Sequence, residues 1–226
     1  MKVFILAAGK GTRLSTIWPH PKILFPIAGR SLLLRQYDFF SRITDPESIT
    51  FVLSWKSEEV VAHIVNHNLS CRYVVVPFSD TGSELVEATR GMDQQEPYMV
   101  VNGDTLTDID LIRFETEYRQ RNIPTLLAIT PWPDTSARGR IAFDAGRGLA
   151  TKFHEKTGVS EPGHINAGLY ILTRQCLEGY NGVFSLERDV FPDLAESRKL
   201  GVFIHDGYVL DCGTPERIQR AKRILA

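Results

Sequence analysis

Cysteine is scarce: three residues, at 71, 176 and 212, in a chain of 226. The number is odd and the spacing fits no metal motif, which reads as reduced, packed thiols in a cytoplasmic protein. Net charge is nearly missing as well. Lys and Arg total 26 against 27 Asp and Glu, giving −1 at pH 7 and no bulk attraction to nucleic acid or a membrane surface. Any anion must therefore be met by locally placed cations. Long apolar runs are also absent. The longest uncharged one, residues 123–133, holds three prolines and is too short to cross a bilayer. The apolar stretch after Met1-Lys2 is shorter than a secretory h-region and reads as a first strand. No Pro- or Ser-rich linker, low-complexity segment or internal repeat breaks the chain, so its 226 residues suit one α/β domain with a substantial core.

What is present is an alternation of short apolar, β-branched runs with amphipathic stretches. Residues 3–8, 49–54, 72–77, 98–102 and 125–130 read as strands, and 31–43, 57–66, 83–92 and 110–121 as helices. Ser31 is placed to cap the first helix, with Leu33, Leu34, Tyr37 and Phe40 on one face. Nearly continuous apolar strands separated by helices imply a mostly parallel sheet covered on both faces. The second half differs. Residues 140–144, 149–155 and 165–172 are closely spaced antiparallel candidates, with Gly146 and Gly148 in a hairpin turn. Helices at 185–197 and 215–225 follow, and a short strand pair around 202–205 and 208–210 is expected between them.

Strand one runs into Ala8-Gly9-Lys10-Gly11-Thr12-Arg13, and Lys22 follows nine positions after Arg13. Gly9 and Gly11 let the backbone approach a ligand, free N–H groups can meet phosphate oxygens, and Arg13 and Lys22 can neutralise a polyphosphate. No Gly-Lys-Ser/Thr follows a four-residue spacer, so this is not a P-loop, and Leu14 stands where a dinucleotide fingerprint needs its third glycine. Alone, such a glycine pair is ordinarily a tight turn. Asp104 closes Asn102-Gly103-Asp104 after the fourth strand, and Asp211 closes another apolar run. Ligands of parallel α/β sheets bind at such strand ends, and two carboxylates beside a phosphate loop suit octahedral Mg²⁺. The alternatives are a helix cap after an Asn-Gly turn for Asp104, and an acid before a Pro-started helix capped by Thr214 for Asp211. Histidines 20, 63, 67, 154, 164 and 205 form no metal spacing; His63 and His67 read as a solvated helix face. Asp108-Ile109-Asp110 reads as a helix start.

Taken in order, these pieces resemble the signature of the sugar-1-phosphate nucleotidylyltransferases, the nucleotide-sugar pyrophosphorylases. The resemblance continues through Gly139 before the strand 140–143, Phe153-His-Glu-Lys156, Ile165-Asn-Ala-Gly-Leu-Tyr-Ile171 and Phe184-Ser-Leu-Glu-Arg-Asp189, and so covers nearly the whole chain. It implies a Rossmann-like α/β fold of the glycosyltransferase-A type, a mixed, mostly parallel sheet sandwiched by helices. A single nucleotidyltransferase domain, 1–226, would comprise a nucleotide-binding half at 1–122 and a sugar-phosphate-binding half at 123–226. Carried over residue by residue, it assigns Leu6, Ala8, Gly9, Gly11, Thr12 and Gly82 to the nucleotide, and Arg13 and Lys22 to catalysis. It gives Asp104 and Asp211 to Mg²⁺, Lys156 to the sugar phosphate, Glu155 to a sugar hydroxyl, and Gly139 and Asn166 to the sugar. The partners implied are an NTP and a sugar 1-phosphate, with no nucleic acid and no membrane; homo-oligomerisation is left open. The acceptor phosphate is already an anionic nucleophile at pH 7, so positioning and charge neutralisation suffice and no general base is required.

Within that family the chain looks most like the short D-glycero-D-manno-heptose 1-phosphate guanylyltransferases, which implies GTP and surface-polysaccharide synthesis. Arg138-Gly-Arg140 is similar to the uridylyltransferases acting on N-acetylmuramate 1-phosphate, and a phosphocholine cytidylyltransferase or a non-catalytic regulatory relative are the further alternatives. Three departures stand out. Pro77-Phe-Ser-Asp-Thr-Gly-Ser83 replaces the usual Pro-Leu-Gly-Thr-Ala/Gly-Gly, Leu14-Ser-Thr-Ile-Trp-Pro-His20 replaces Leu-x-Pro-Leu-Thr, and Ile follows Lys22 instead of Pro. In the first, Asp80 either faces the N1–H and amino group of a guanine or points to solvent.

Overall fold

Period-two alternation in the first strand sets the layering. In β1 (Lys2–Leu6) Val3 and Ile5 enter one core and Phe4 and Leu6 the other, so both sheet faces are covered. A computed structural model describes residues 1–136, 138–154, 158 and 160–225. After β1 come a small hairpin, β2 (Pro26–Ile27) and β3 (Arg30–Ser31), then α1 (Leu32–Phe40), β4 (Ile49–Leu53), α2 (Ser57–Asn66) and β5 (Arg72–Val75). Next are α3 (Thr81–Ala88), β6 (Tyr98–Asn102), β7 (Thr105–Thr107), α4 (Leu111–Gln120) and β8 (Thr125–Trp132). The second half adds β9 (Arg140–Asp144), β10 (Leu149–His154), β11 (Gly163–Leu172), α5 (Phe191–Glu196), β12 (Leu200–Ile204), β13 (Val209–Asp211) and α6 (Pro215–Leu225).

Nine strands form one sheet in the order β5-β4-β1-β6-β11-β8-β12-β10-β9. The first four are mutually parallel, as the βα alternation requires, and β12 is parallel to β8. Antiparallel β11 joins the halves by pairing with both β6 and β8. The mixed α/β architecture matches the expectation, with its parallel part concentrated in the first half.

Three local expectations need correction. The runs around 202–205 and 208–210 do not pair with each other: β12 inserts between β8 and β10, and β13 pairs with β7. Helix α3 starts at Thr81, two residues early, because the Asp80 carboxylate accepts the Thr81 N–H at 2.9 Å. The helix expected at 185–197 is a π-helical turn, Leu186–Val190, followed by α5. Pro192 has no N–H to continue a regular ladder there. Ser31 caps α1 as expected, accepting the Leu34 N–H at 3.2 Å.

Candidate active site

The loop after β1 is built to meet an anion. The N–H groups of residues 8–13 donate to no protein acceptor among the described residues. Gly11 has φ +63°, a conformation few side chains tolerate, and a Cβ there would stand 3.1 Å from the Lys22 Cβ, so loop and lysine pack together. Gly9 has no atom within 4 Å of its missing Cβ and opens onto a cleft. That cleft, of about 380 Å³, is lined by Leu6, Ala8, Gly9, Gly11, Thr12 and Lys22 on one side and by Ser79, Asp80, Thr81 and Glu84 on the other.

A second cleft of about 710 Å³ adjoins it, sharing Asp80 and Asn102. Arg13, Gly139, Asn166 and Asp211 line it, as do Arg138, Arg188 and Arg217. The three later arginines and Glu187 carried no individual role in the sequence reading. Their signal was weak: a cation beside a recognised glycine, or on a helix, ordinarily points to water. Here Arg217 and Arg138 both face the Asp211 carboxylate, the latter at 3.7 Å, and Arg138 also stacks on Trp132 at 4.5 Å. Burial, then Arg217 and Arg220, pull the Arg138 guanidinium below its usual value against the pull of Asp211. Glu155 and Lys156 lie outside the described residues.

Between the clefts stand the two expected acids. Lys22 Nζ donates to Asp104 at 2.5 Å, with both side chains about four-fifths buried. Burial works to raise the Asp104 carboxyl, but Lys22, Arg13 and its own backbone N–H outweigh it and hold the group below the ordinary carboxylate range. The Cys212 N–H donates to the Asp104 carbonyl at 2.8 Å, and Asp211 is in register with Thr105, so the two acids sit on adjoining segments. Two hard-oxygen donors so placed beside a phosphate-sized loop fit a divalent ion, whose charge would take over from the cations now paired with them. Gln36, buried in α1, donates to the carbonyls of Asn102 and Thr105, and so brackets the turn that presents Asp104.

Asn166 is fixed by a short local bond, its Oδ1 accepting the Gly168 N–H at 2.7 Å where β11 bulges away from β8. Its amide donates to the Tyr170 hydroxyl at 2.9 Å, and that hydroxyl donates to Glu187 at 3.3 Å. Glu187 also accepts from Thr81 at 2.8 Å and Ser185 at 3.0 Å. Burial, then the Glu187 charge, raise the Tyr170 phenol far above its ordinary value, so it stays protonated as the hinge of this network. The network ties Asn166, which lines the second cleft, to the start of α3.

Gly82 packs against Phe184. A Cβ on it would stand 2.4 Å from the Phe184 ring, and its N–H donates to the Phe184 carbonyl at 3.1 Å. Its small size serves that packing, and Ser79, Asp80, Thr81 and Glu84 line the cleft in its place. Asp80 caps α3 and pairs with Arg188, so each of its carboxylate oxygens already has a donor. Asp110 caps α4 and Asp108 accepts from the Tyr208 N–H at 2.8 Å, so that acid pair is structural. His63 meets Ser31 at 3.0 Å.

Comparison with known proteins bears on this geometry. A D-glycero-alpha-D-manno-heptose 1-phosphate guanylyltransferase of Aneurinibacillus thermoaerophilus is 27% identical over 232 residues, covering 100% of this chain and 98% of that one. A probable mannose-1-phosphate guanylyltransferase 2 of Oryza sativa subsp. japonica is 24% identical over 95% of this chain, which spans 62% of the length of that relative. Among solved structures, HddC from Yersinia pseudotuberculosis complexed with GMP-PN superposes with a TM-score of 0.82 at 24% identity, covering 100% of this chain and 99% of that one. A putative glucose-1-phosphate thymidylyltransferase from Bacillus anthracis gives 0.85 at 19%, covering 99% and 94%. At those identities the superpositions speak for the fold. The sequence itself matches the Nucleotidyl transferase family over residues 2–226, from the first strand through the last helix, and the chain belongs to that family.

Proposed function

We propose that the chain transfers a nucleotidyl group from GTP to a manno-configured sugar 1-phosphate, D-glycero-D-manno-heptose 1-phosphate foremost, giving an NDP-sugar and pyrophosphate. The observation that carries the reading is the junction of two clefts at one cationic seam. An N–H-rich loop and Lys22 line the first, and Arg13, Arg138 and Arg217 line the second. A relative covering 98% of its own length against this chain carries the heptose name, which supports the choice of acceptor.

A phosphate oxygen of the acceptor attacks the α-phosphorus in line, the bond from that phosphorus to the β-bridging oxygen breaks, and pyrophosphate leaves with the electron pair. Loop N–H groups and Lys22 hold the triphosphate, and Arg13 meets charge growing on the leaving group. Asn166 and Gly139 fall on the sugar side. Asp104 and Asp211 would hold Mg²⁺, which when bound supplies counter-charge to the phosphates.

The test is pyrophosphate release across four NTPs, with heptose, mannose, glucose and N-acetylmuramate 1-phosphates and phosphocholine as acceptors. Release with GTP and a manno-configured acceptor is expected; release only with phosphocholine overturns the acceptor class. In the same assay Arg13→Ala lowers kcat by roughly 10²-fold or more, the scale for one aimed donor. The variant folds normally, because the Arg13 side chain is exposed on the short 3₁₀ turn that follows β1. Near-normal turnover would remove Arg13 from the mechanism.

A further inference from the structure

Three carboxylates line the first cleft, and two of them have cations: Asp104 has Lys22, and Asp80 has Arg188. Glu84 has none among the described residues. It stands in the first turn of α3 and is only 5% exposed. One carboxylate oxygen, Oε1, accepts the Ser79 N–H at 3.1 Å. The other has no protein partner among the described residues. It is not sealed away either, since the sealed, unpartnered side-chain atoms there are Tyr98 Oη and Asn102 Oδ1. Burying a charge without partners is costly, and burial, opposed by the Ser79 N–H but reinforced by Asp80, drives the Glu84 carboxyl above its ordinary value. The polar groups next to it in sequence are committed elsewhere. The Ser79 N–H is already used, the Thr81 N–H donates to Asp80, and the Thr81 hydroxyl donates to Glu187.

The missing partner must bring hydrogen-bond donors, and the cleft opens from the phosphate loop toward Glu84. Among nucleobases, guanine alone offers two adjacent donors on its Watson–Crick edge, N1–H and the N2 amino group. Uracil and thymine flank a single N–H with carbonyl oxygens, while adenine and cytosine set an amino group beside a ring-nitrogen lone pair. A carboxylate accepts from the first and meets a repelling acceptor in the others. We infer that Glu84 is the residue that reads the base, its carboxylate accepting guanine N1–H and N2–H, which makes the nucleotide GTP. The inference rests on the reading of this cleft as the NTP site. It moves base selection from Asp80, both of whose carboxylate oxygens have a protein donor, to a residue four positions on that has one oxygen without a partner among the described residues.

The experiment pairs wild type with Glu84→Gln and compares GTP, ITP and UTP, by direct titration without acceptor and by pyrophosphate release. ITP keeps N1–H and lacks the amino group. Wild type should prefer GTP to ITP by about tenfold or more, the scale of a hydrogen bond to a charged group. In Glu84→Gln the amide can accept only through one atom and its NH₂ opposes a guanine donor. The GTP-to-ITP ratio should therefore fall toward one, while UTP gains relative to GTP. Thermal unfolding of the variant without nucleotide, at or above the wild-type temperature, would show that the loss is not misfolding. An unchanged GTP-to-ITP ratio in a variant that still turns over overturns Glu84 as reader and leaves nucleotidyl transfer standing, as does a wild type preferring UTP. If no NTP releases pyrophosphate with any acceptor, the functional reading falls, and the titration still decides Glu84. Should the variant fail to fold, equal wild-type affinity for GTP and ITP overturns the inference.

Discussion

At the scale of single residues, Glu84 also makes a prediction about stability without nucleotide. Its carboxyl titrates above its ordinary 4.5 in the folded chain because burial disfavours the charge. A carboxyl with a raised folded value binds its proton more tightly folded than unfolded, so stability is greatest below about 4.5 and is lost as pH rises through the raised value. Glu84→Gln removes the charge. Its Tm should exceed that of wild type at pH 7.5, and the gain should vanish as pH approaches 4.5; a gain constant with pH would assign the effect to packing. GTP at a hundred times its Kd adds about 2.7 kcal/mol, or about 5–10 °C for a chain of this length, and should do so in wild type far more than in the variant at equal GTP. Nothing in the sequence marked Glu84, because an acid in the first turn of a helix already has an ordinary explanation in the helix dipole. Its burial is a product of the fold: its helix is held against the segment of Glu187, more than a hundred positions away, by the Thr81 hydroxyl. The cysteines were simpler to read: burial pushes Cys71 up to about 11 and Cys212 up to about 12, and both remain thiols at neutral pH.

Single elements separate what is local from what is not. Gly82→Ala places a Cβ 2.4 Å from the Phe184 ring, and Phe184 is itself buried and stacked on Tyr180. Overpacking of this kind costs about 1–3 kcal/mol, so Tm should fall by roughly 2–12 °C with no nucleotide present. If Tm holds and only nucleotide affinity drops, Gly82 belongs to the base edge after all. Strand and helix positions were legible because they rest on local periodicity. Tyr98–Asn102, Arg140–Asp144 and Ser57–Asn66 occupy the residues their patterns indicate. Pairing was not legible. The runs at β12 and β13 lie close in sequence and suggest a hairpin, yet β12 is an apolar strand buried between β8 and β10, and β13 pairs with β7. The same limit hid the second cleft. Arg138, Arg188 and Arg217 come from a loop, a π-helical turn and α6, and only the folded sheet gathers them around Asp80 and Asp211.

On the scale of the whole molecule, the site needs both halves of the chain, and so does the core. Lys22 and Asp104 come from the first 122 residues, Asp211 and Arg217 from the rest. The sheet is continuous across the seam where Tyr98 through Val101 of β6 pair with Leu172 through Leu169 of β11. One face packs Val3 with Phe203, and the other packs Phe4 with Tyr170 and Phe191. Cutting at residue 122 would leave β6 an open edge and strip both cores, so the first half should not fold alone. We therefore propose one cooperative domain, in which nucleotide binding stabilises strands that never touch it. Calorimetry should show a single transition with calorimetric and van't Hoff enthalpies equal, near 160 kcal/mol for a chain this long at about 60 °C. Saturating GTP should move that transition upward whole, and amide hydrogens of β12 should gain the same protection as those of β1. A second transition that stays put when GTP is added, or protection confined to β1, β4 and β6, would show two independent units and leave the second cleft with no energetic link to the nucleotide.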